Sequence, residues 1–186
     1  MTTMNDLLTA ELDQLRIRRG YDELSILETG SIRNENESFR DSDGWSTLTF
    51  AEYTKKYGGT VTSIDLDTSH ARRVLKKYDA LGAVTFIDGY SVEVLATLVA
   101  AHRNFDVIML DSDNDAQLIL HEYLVAKQLA TRGTLIVFDD IDTREHTDVV
   151  KGHQVVPWLE RRAVHTRRPT RTSNQHATQM IFLDSE

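Results

Sequence analysis

Short apolar runs alternate along the chain with segments whose apolar residues recur at helical spacing. Five of these runs are rich in β-branched, aliphatic or aromatic residues and end at or beside an acidic residue, which favours strands. The five predicted strands cover residues 25–28, 60–65, 83–88, 105–111 and 134–139. Strands that alternate with helices predict right-handed βαβ units, and therefore a parallel sheet with helices on both faces.

The intervening segments carry the periodicity of amphipathic helices. Before the second strand, Phe50, Tyr53 and Tyr57 predict a helix that ends at Gly58. Two longer faces follow the second and fourth strands. They consist of Ala71, Val74, Leu75, Tyr78 and Leu81, and of Ala116, Ile119, Leu120, Tyr123, Ala126 and Ala130, with Gly133 placed as the stop of the second helix.

The last quarter of the chain departs from this rhythm. A helix is predicted over residues 155–162, followed by two extended runs at 163–168 and 178–184. The stretch that joins these runs is too short for a crossover helix, so the two strands should pair antiparallel. The fold class predicted is α/β: a Rossmann-like, doubly wound, mainly parallel sheet of seven strands with an antiparallel C-terminal strand.

Composition narrows the possible classes of protein. The 186 residues suit one domain, 1–186, made of an N-terminal helical segment at 1–24 and a Rossmann-like core at 25–186. The net charge of −8 disfavours nucleic acid as a partner, and the absence of cysteine excludes disulfides and thiolate chemistry. The sequence contains neither a signal-peptide pattern nor an apolar run of roughly 20 residues, so we expect a cytoplasmic protein without a membrane partner.

Acidic residues mark the ends of all five predicted strands. They are Glu28, Asp65, Asp88, Asp111 and Asp139, the last followed by Asp140. Ligands of open parallel sheets bind outside the carboxyl ends of the strands, so these carboxylates should share one edge. A single such residue is commonly a helix cap, but this many acids together favour a cation or a hydroxyl-rich ligand.

From residue 25 onward the chain resembles class I S-adenosylmethionine-dependent methyltransferases. Glu28 and Gly30 look like the glycine motif after the first strand. The family has a second glycine at short spacing, but in this chain residues 33–43 intervene before Ser46 and Thr47, which are the next candidate cofactor residues. The resemblance implies that Asp65 binds the ribose hydroxyls. It places the remaining cofactor contacts at Asp88, Gly89, Tyr90, Ser91 and Asp111.

On the acceptor side the chain resembles cation-dependent O-methyltransferases of the catechol type and of the macrocin or novobiocin sugar type. The resemblance implies that Asp111, Asp139 and Asp140 bind Mg²⁺ or another divalent cation. The catechol type has a lysine base three residues after the first metal ligand, where this chain has Asn114. The sugar type implies Asp113 as general base, and a capping role for Asp113 remains the alternative.

The function expected is methyl transfer to a hydroxyl of a small molecule, assisted by Mg²⁺. A metal-independent methyltransferase of the same fold and a non-catalytic nucleoside-binding module remain open, whereas a nicotinamide enzyme is disfavoured because no GxGxxG follows the first strand. The short segment before the first strand leaves open a homo-oligomer whose partner chain completes the acceptor pocket.

Two further parts of the sequence each allow two interpretations. Residues 33–43 form either a solvated loop or a lid over the cofactor. A basic group could be exposed positions of a strand or could recognise an anionic substrate. It consists of Arg161, Arg162, Arg167, Arg168 and Arg171.

Overall fold

The computed structural model describes residues 3–40, 45–141, 149–168 and 180–185. Its strands are β1 (Leu24–Thr29), β2 (Gly59–Asp65), β3 (Val84–Asp88), β4 (Phe105–Leu110), β5 (Ala130–Phe138) and β6 (Ile181–Asp184). Its α-helices are α1 (Met4–Arg19), α2 (Ser46–Tyr57), α3 (Ser69–Lys77), α4 (Ser91–Ala100), α5 (Ala116–Ala126) and α6 (Gly152–Arg161). None of the helices in these ranges is long and apolar enough to cross a membrane.

The six described strands form one sheet in the order β3-β2-β1-β4-β5-β6. All neighbouring pairs are parallel except β5 and β6, which run antiparallel, as the sequence predicts for the last strand. The predicted strand at 163–168 contributes only an isolated antiparallel bridge between Arg167 and Phe182. The described residues therefore hold six strands, and the seventh stays a prediction, with residues 169–179 of the predicted hairpin outside the described ranges.

Helices cover both faces of the sheet, and strand alternation divides the core between them. In β4, Val107 and Met109 pack with α1 and α2, whereas Ile108 and Leu110 pack with α4, α5 and α6. The side-chain period of 2 sends successive residues to opposite faces, and both faces of β4 are buried. The apolar run of this strand is therefore the signature of a strand inside a parallel sheet.

Two of the predicted helix ends are wrong. The helix containing Ala71 ends at Lys77, and Leu81 begins a short 3-10 turn instead of extending the helix. The helix containing Ala116 ends at Ala126, and Gly133 lies inside β5 rather than at a helix stop. There its φ of +80° suits glycine, and its N–H donates to the Ser185 carbonyl at 2.7 Å.

Candidate active site

The site lies where the strand order reverses, between β1 and β4. Gly30 follows β1 with a φ of +85°, and a Cβ built there would lie 2.2 Å from the Asp111 carbonyl oxygen. Only glycine allows the two chain segments to approach this closely. Gly30 is the glycine that the sequence assigns to the cofactor motif, and its contact with a cofactor stays a prediction. The reversal of strand order is where open α/β sheets bind ligands.

Glu28 is buried beneath this edge and is surrounded by hydroxyl groups. Its carboxylate accepts hydrogen bonds from Ser46, from Thr47 Oγ1 at 2.7 Å and from Ser63 Oγ at 2.8 Å. Burial raises the pKa of Glu28 to about 7, although the three hydroxyls oppose that rise. The structure thus brings together Glu28, Ser46 and Thr47, three predicted cofactor residues, and their mutual bonds fix the start of α2 against β1.

Asp65 lies at the end of β2 and faces a cleft beside Gly30. One carboxylate oxygen accepts from the Ser31 backbone N–H at 2.8 Å and from the Ser31 hydroxyl at 3.2 Å. Half of the residues that line the cleft are predicted to bind the cofactor, namely Gly30, Asp65, Gly89, Tyr90 and Ser91. The lining also includes Asp113, the predicted general base, and Leu66, which the sequence does not single out.

Leu66 and Tyr90 give the rim of the cleft an apolar surface. Their exposed fractions are 73% and 46%, which is high for large hydrophobic side chains that flank one cavity. Exposed apolar surface of this kind is typical of ligand sites. The position of Leu66, directly after a strand-ending Asp, is the signal that could have identified it.

Asp88 is predicted to bind the cofactor, and its carboxylate has a partner in the fold. It accepts from the Thr68 hydroxyl at 2.7 Å and from the Thr68 N–H at 3.0 Å, at the start of α3. These hydrogen bonds lower the pKa of Asp88. Asp88 therefore ties β3 to α3, and its contact with a cofactor stays a prediction.

Glu122 is a second buried carboxylate that the sequence does not reveal. It projects from α5 toward the end of β1, where Thr29 Oγ1 donates to it at 3.0 Å. Burial raises the pKa of Glu122, and the nearby hydroxyl groups of Ser91 and Ser112, two residues that line the cleft, oppose that rise. Glu122 therefore supports the cleft from below.

The three predicted metal ligands come together at the ends of β4 and β5. Carboxylate oxygens of Asp111, Asp139 and Asp140 all lie within 4.8 Å of one another. Asp140 adopts a φ of +54°, an uncommon conformation that Asp tolerates better than most residues, and its N–H donates to Asp139 Oδ1 at 2.9 Å. Burial, followed by the charges of Asp111 and Asp140, raises the pKa of Asp139 well above its usual range.

Lys151 lies in the same cluster, although nothing in the sequence pattern around it singles it out. Its ammonium group contacts Asp111 Oδ1 and lies 3.7 Å from Asp140 Oδ2. The lysine side chain is only 4% exposed. Burial lowers its pKa, but the charges of the three aspartates outweigh that effect and raise it above the ordinary value. The cluster therefore holds a cation from the chain itself.

Asp113, the predicted general base, lines the cleft and is exposed. Its Oδ1 accepts from the N–H of Asn114 at 2.7 Å, a local contact that leaves the carboxylate at the mouth of the site. Asn114 Oδ1 accepts in turn from the Val150 N–H at 2.8 Å. The loop after β4 is thus joined to the chain that leads into α6, and the role of Asp113 stays a prediction.

Two arginines of the basic group make separate contacts within the described residues. Arg162 stacks on Trp158 at 3.9 Å, whereas Arg167 pairs with Glu11 at 2.9 Å and with Asp184 at 3.1 Å. Arg171 lies outside the described residues. Structural roles therefore account for Arg162 and Arg167.

The strand order and the family match below confirm the predicted class, a Rossmann-like methyltransferase of class I. A family model described as a methyltransferase domain matches residues 42–141, more than half of the chain. The chain belongs to this family, and the predicted enzyme class is confirmed. No curated protein sequence matches the chain.

Solved structures of O-methyltransferases share the fold. The O-methyltransferase from Bacillus cereus in complex with SAH superposes with a TM-score of 0.67 at 20% identity, covering 94% of this chain and 79% of that chain. TomG from Streptomyces achromogenes, an O-methyltransferase involved in tomaymycin synthesis and bound to SAM, gives 0.62 at 18%, covering 95% and 80%. MycE of the mycinamycin pathway, in complex with Mg and SAH, gives 0.61 at 14%, covering 95% and 49%.

Proposed function

We propose that the chain transfers a methyl group from S-adenosylmethionine to a hydroxyl oxygen of a small molecule. The observation that carries this proposal is the position of the aspartate cluster beside the cofactor cleft. The Asp111 carbonyl lies against Gly30 in the cleft, and the Asp111 carboxylate belongs to the cluster. A hydroxyl bound at the cluster would therefore lie next to the methyl donor.

The lining of the cleft suits an adenosine group. The carboxylate of Asp65 would accept hydrogen bonds from both ribose hydroxyls, because an ionised carboxylate only accepts. Gly89, Tyr90 and Ser91 would surround the adenine, with apolar surface from Leu66 and Tyr90. The remaining predicted cofactor contacts are Glu28, Ser46, Thr47, Asp88 and Asp111.

We further propose that Asp111, Asp139 and Asp140 hold a divalent cation, for which Mg²⁺ fits best. Three carboxylates within 4.8 Å offer the hard oxygen ligands that Mg²⁺ prefers, and their mutual repulsion is what raises the pKa of Asp139 beyond the effect of burial. When bound, such an ion acidifies a hydroxyl and holds it in place. Asp113, at the mouth of the cleft, would accept the hydroxyl proton.

A second candidate is methyl transfer without a metal ion. Lys151 favours it, because a buried ammonium group already supplies a positive charge to the aspartates. A lysine in this place would attract the oxygen anion that forms as the acceptor loses its proton. The net charge of −8 favours a small acceptor over nucleic acid in both cases.

The experiment is an acceptor screen with S-adenosylmethionine carrying a labelled methyl group. Catechols, vicinal diols and sugar derivatives are incubated with the protein, with Mg²⁺ or with chelator, and the products are read by mass spectrometry. We expect a methylated hydroxyl product that Asp111→Asn abolishes and chelator suppresses. Activity that chelator leaves intact would select the metal-independent enzyme. Cofactor binding without any product from the whole panel would favour a binding module.

A further inference from the structure

Lys151 has no role in the Mg²⁺-assisted reaction proposed above, although it lies inside the aspartate cluster. Its ammonium group contacts one proposed metal ligand, Asp111, and lies 3.7 Å from another, Asp140. The carboxylate oxygens of the cluster are within 4.8 Å of one another, so a single cation between them could contact all three. An ammonium group and a divalent ion therefore cannot both take the centre of the cluster.

The backbone holds Lys151 in this position from both sides. The preceding residue, Val150, donates its N–H to Asn114 in the loop after β4. The following residue, Gly152, packs so tightly that an added Cβ would lie 2.0 Å from the carbonyl oxygen of Ile141, just after β5. The loops that carry Asp111 and Asp140 thus also fix the lysine between them.

The electrostatic environment keeps the ammonium group inside the cluster. Lys151 precedes the first turn of α6, where the helix dipole repels a cation, and its side chain is 4% exposed. Such a charge is stable only with close counter-charges, and the aspartates provide them. The charge of Lys151 is therefore stabilised by the aspartates and not by solvent.

We infer that Lys151 is a built-in competitor for the divalent cation. In the absence of the ion its ammonium group neutralises part of the aspartates' charge, and the ion enters only by displacing it. Lys151 thus sets the affinity of the site for divalent cations. This inference rests on the proposed function for the identity of the ligand set.

The test is calorimetric titration of Mg²⁺ and Mn²⁺ into the full chain and its Lys151→Met variant. Removing a positive charge from the immediate surroundings of the ligands should tighten binding by about tenfold or more. Lys151→Arg keeps the charge and should bind as weakly as the wild type. Lys127→Met, which changes an exposed lysine beside Trp158, should leave the affinity unchanged.

A second measurement uses the wild-type chain, in case Lys151→Met does not fold. The ε-methylene signal of Lys151, in protein labelled with [ε-¹³C]lysine, is assigned by its loss in Lys151→Arg. Titration with Mg²⁺ should shift this signal in step with the calorimetric binding curve. An unmoved signal during saturation with Mg²⁺ would overturn the inference.

The outcomes separate the inference from the proposed function. Binding by Lys151→Met alone supports competition and removes Mg²⁺ assistance from the wild-type reaction. Equal affinity in the wild type and a folded Lys151→Met overturns competition and leaves Mg²⁺ assistance standing. If neither the wild type nor Lys151→Met binds a cation, both the competition by Lys151 and the Mg²⁺ assistance are overturned.

Discussion

Buried carboxyl groups support the site from below, and each responds to its own surroundings. Glu28 is enclosed by three hydroxyls, Glu122 by Thr29 and the serines of the cleft, and Asp139 by two further aspartates. Burial is the largest cause of the raised pKa in all three. Carboxyl groups with a raised pKa therefore lie under the cleft, whereas Asp65 and Asp113 line the cleft itself.

The pH dependence of the unfolding free energy should reveal the raised pKa of Glu28. Its pKa rises from 4.5 to about 7 on folding, so the folded protein keeps a proton that the unfolded chain releases between these values. The free energy of unfolding should therefore fall as the pH rises from 4.5 to 7, by at most about 3 kcal/mol from this group. The measurement is denaturant unfolding across this range for the wild type and Glu28→Gln, whose difference isolates the group.

Glu28→Gln should lack this component, because its amide does not titrate. Glu93→Gln, on the exposed side of α4, serves as the matched control and should follow the wild-type curve. Parallel curves for the wild type and Glu28→Gln would show that Glu28 ionises normally in the folded protein.

Asp65 should determine the affinity for the cofactor. Asp65→Ala removes a charged acceptor from the cleft, and the loss should be about 1.5 to 3 kcal/mol of binding free energy, or about 10- to 150-fold in Kd. Calorimetry with S-adenosylmethionine measures it, with Glu52→Gln on the exposed face of α2 as the control. Unchanged affinity in a folded Asp65→Ala would remove this residue from the site.

Gly30 tests the close approach of β1 and β4. Gly30→Ala places a methyl group 2.2 Å from the Asp111 carbonyl and should cost about 2 kcal/mol or more of stability. Gly20 has a similar positive φ of +71° but nothing within 4 Å of an added Cβ, so Gly20→Ala measures the backbone cost alone. Equal losses of unfolding free energy in the two variants would contradict the clash.

The sequence predicts those site residues that end strands, because each of them follows a short apolar run directly. Gly30, Asp65 and Asp111 belong to this group, and the structure places all three at one edge of the sheet. Lys151 and Glu122 escape prediction for a physical reason. Lys151 reaches the cluster from the start of α6, and Glu122 is a buried acid inside an amphipathic helix. Only the folded chain brings them to the site.

At the scale of elements, β1 to β4 follow their apolar pattern closely, whereas the helix ends and the start of β5 do not. β2 begins one residue before its predicted start and β4 ends one residue before its predicted end. The sequence places the end of α5 wrongly, because Gly133 is equally compatible with a helix stop and with an irregular strand. In the structure its N–H bonds to Ser185 beside β6, a long-range partner that local spacing cannot show.

The segment before α2 lies against α3 through exposed ion pairs. Glu35 pairs with Arg73 at 2.7 Å and with His70 at 3.0 Å, and Glu37 contacts Lys77 at 2.5 Å and Tyr78 at 3.0 Å. These partners lower the pKa of both glutamates. Part of the predicted loop at 33–43 is thus attached to the surface of α3, and residues 41–43 lie outside the described ranges.

Removing both anchors should release this segment locally. We expect Glu35→Gln with Glu37→Gln to speed amide hydrogen exchange in residues 32–40 while the melting temperature stays nearly unchanged, because exposed ion pairs add little to global stability. Asp22→Asn, which breaks an exposed pair with Arg16, is the control. If the exchange in residues 32–40 did not change, the ion pairs would not be what holds the segment.

At the scale of the whole molecule, alternation of strands and helices predicts a parallel sheet but not the order of its strands. β1 pairs with both β2 and β4, so the fold brings residues about 80 positions apart into contact, as in the hydrogen bond from Ser25 to Asp106. Long-range pairing of this kind depends on packing across both faces of the sheet. The short connection between residues 163–168 and the final strand predicts an antiparallel final strand. β6 is antiparallel, but its ladder partner is β5, and residues 163–168 contribute only the bridge between Arg167 and Phe182.

Ligand-linked stability tests the whole assignment at once. A ligand that binds only the folded state adds about 2.7 kcal/mol at one hundred times its Kd, which for a chain of this size is a rise in Tm of about 5 to 10 °C. We expect S-adenosylmethionine to produce this rise in the wild type and much less in Asp65→Ala at the same concentration. NAD⁺ also carries an adenosine but needs a glycine-rich phosphate loop that the chain lacks after β1, so it should leave Tm unchanged. Thermal melts monitored by circular dichroism measure both effects. A rise with NAD⁺ and none with S-adenosylmethionine would mean that the cleft binds a dinucleotide, and the proposed methyl transfer would fail with it.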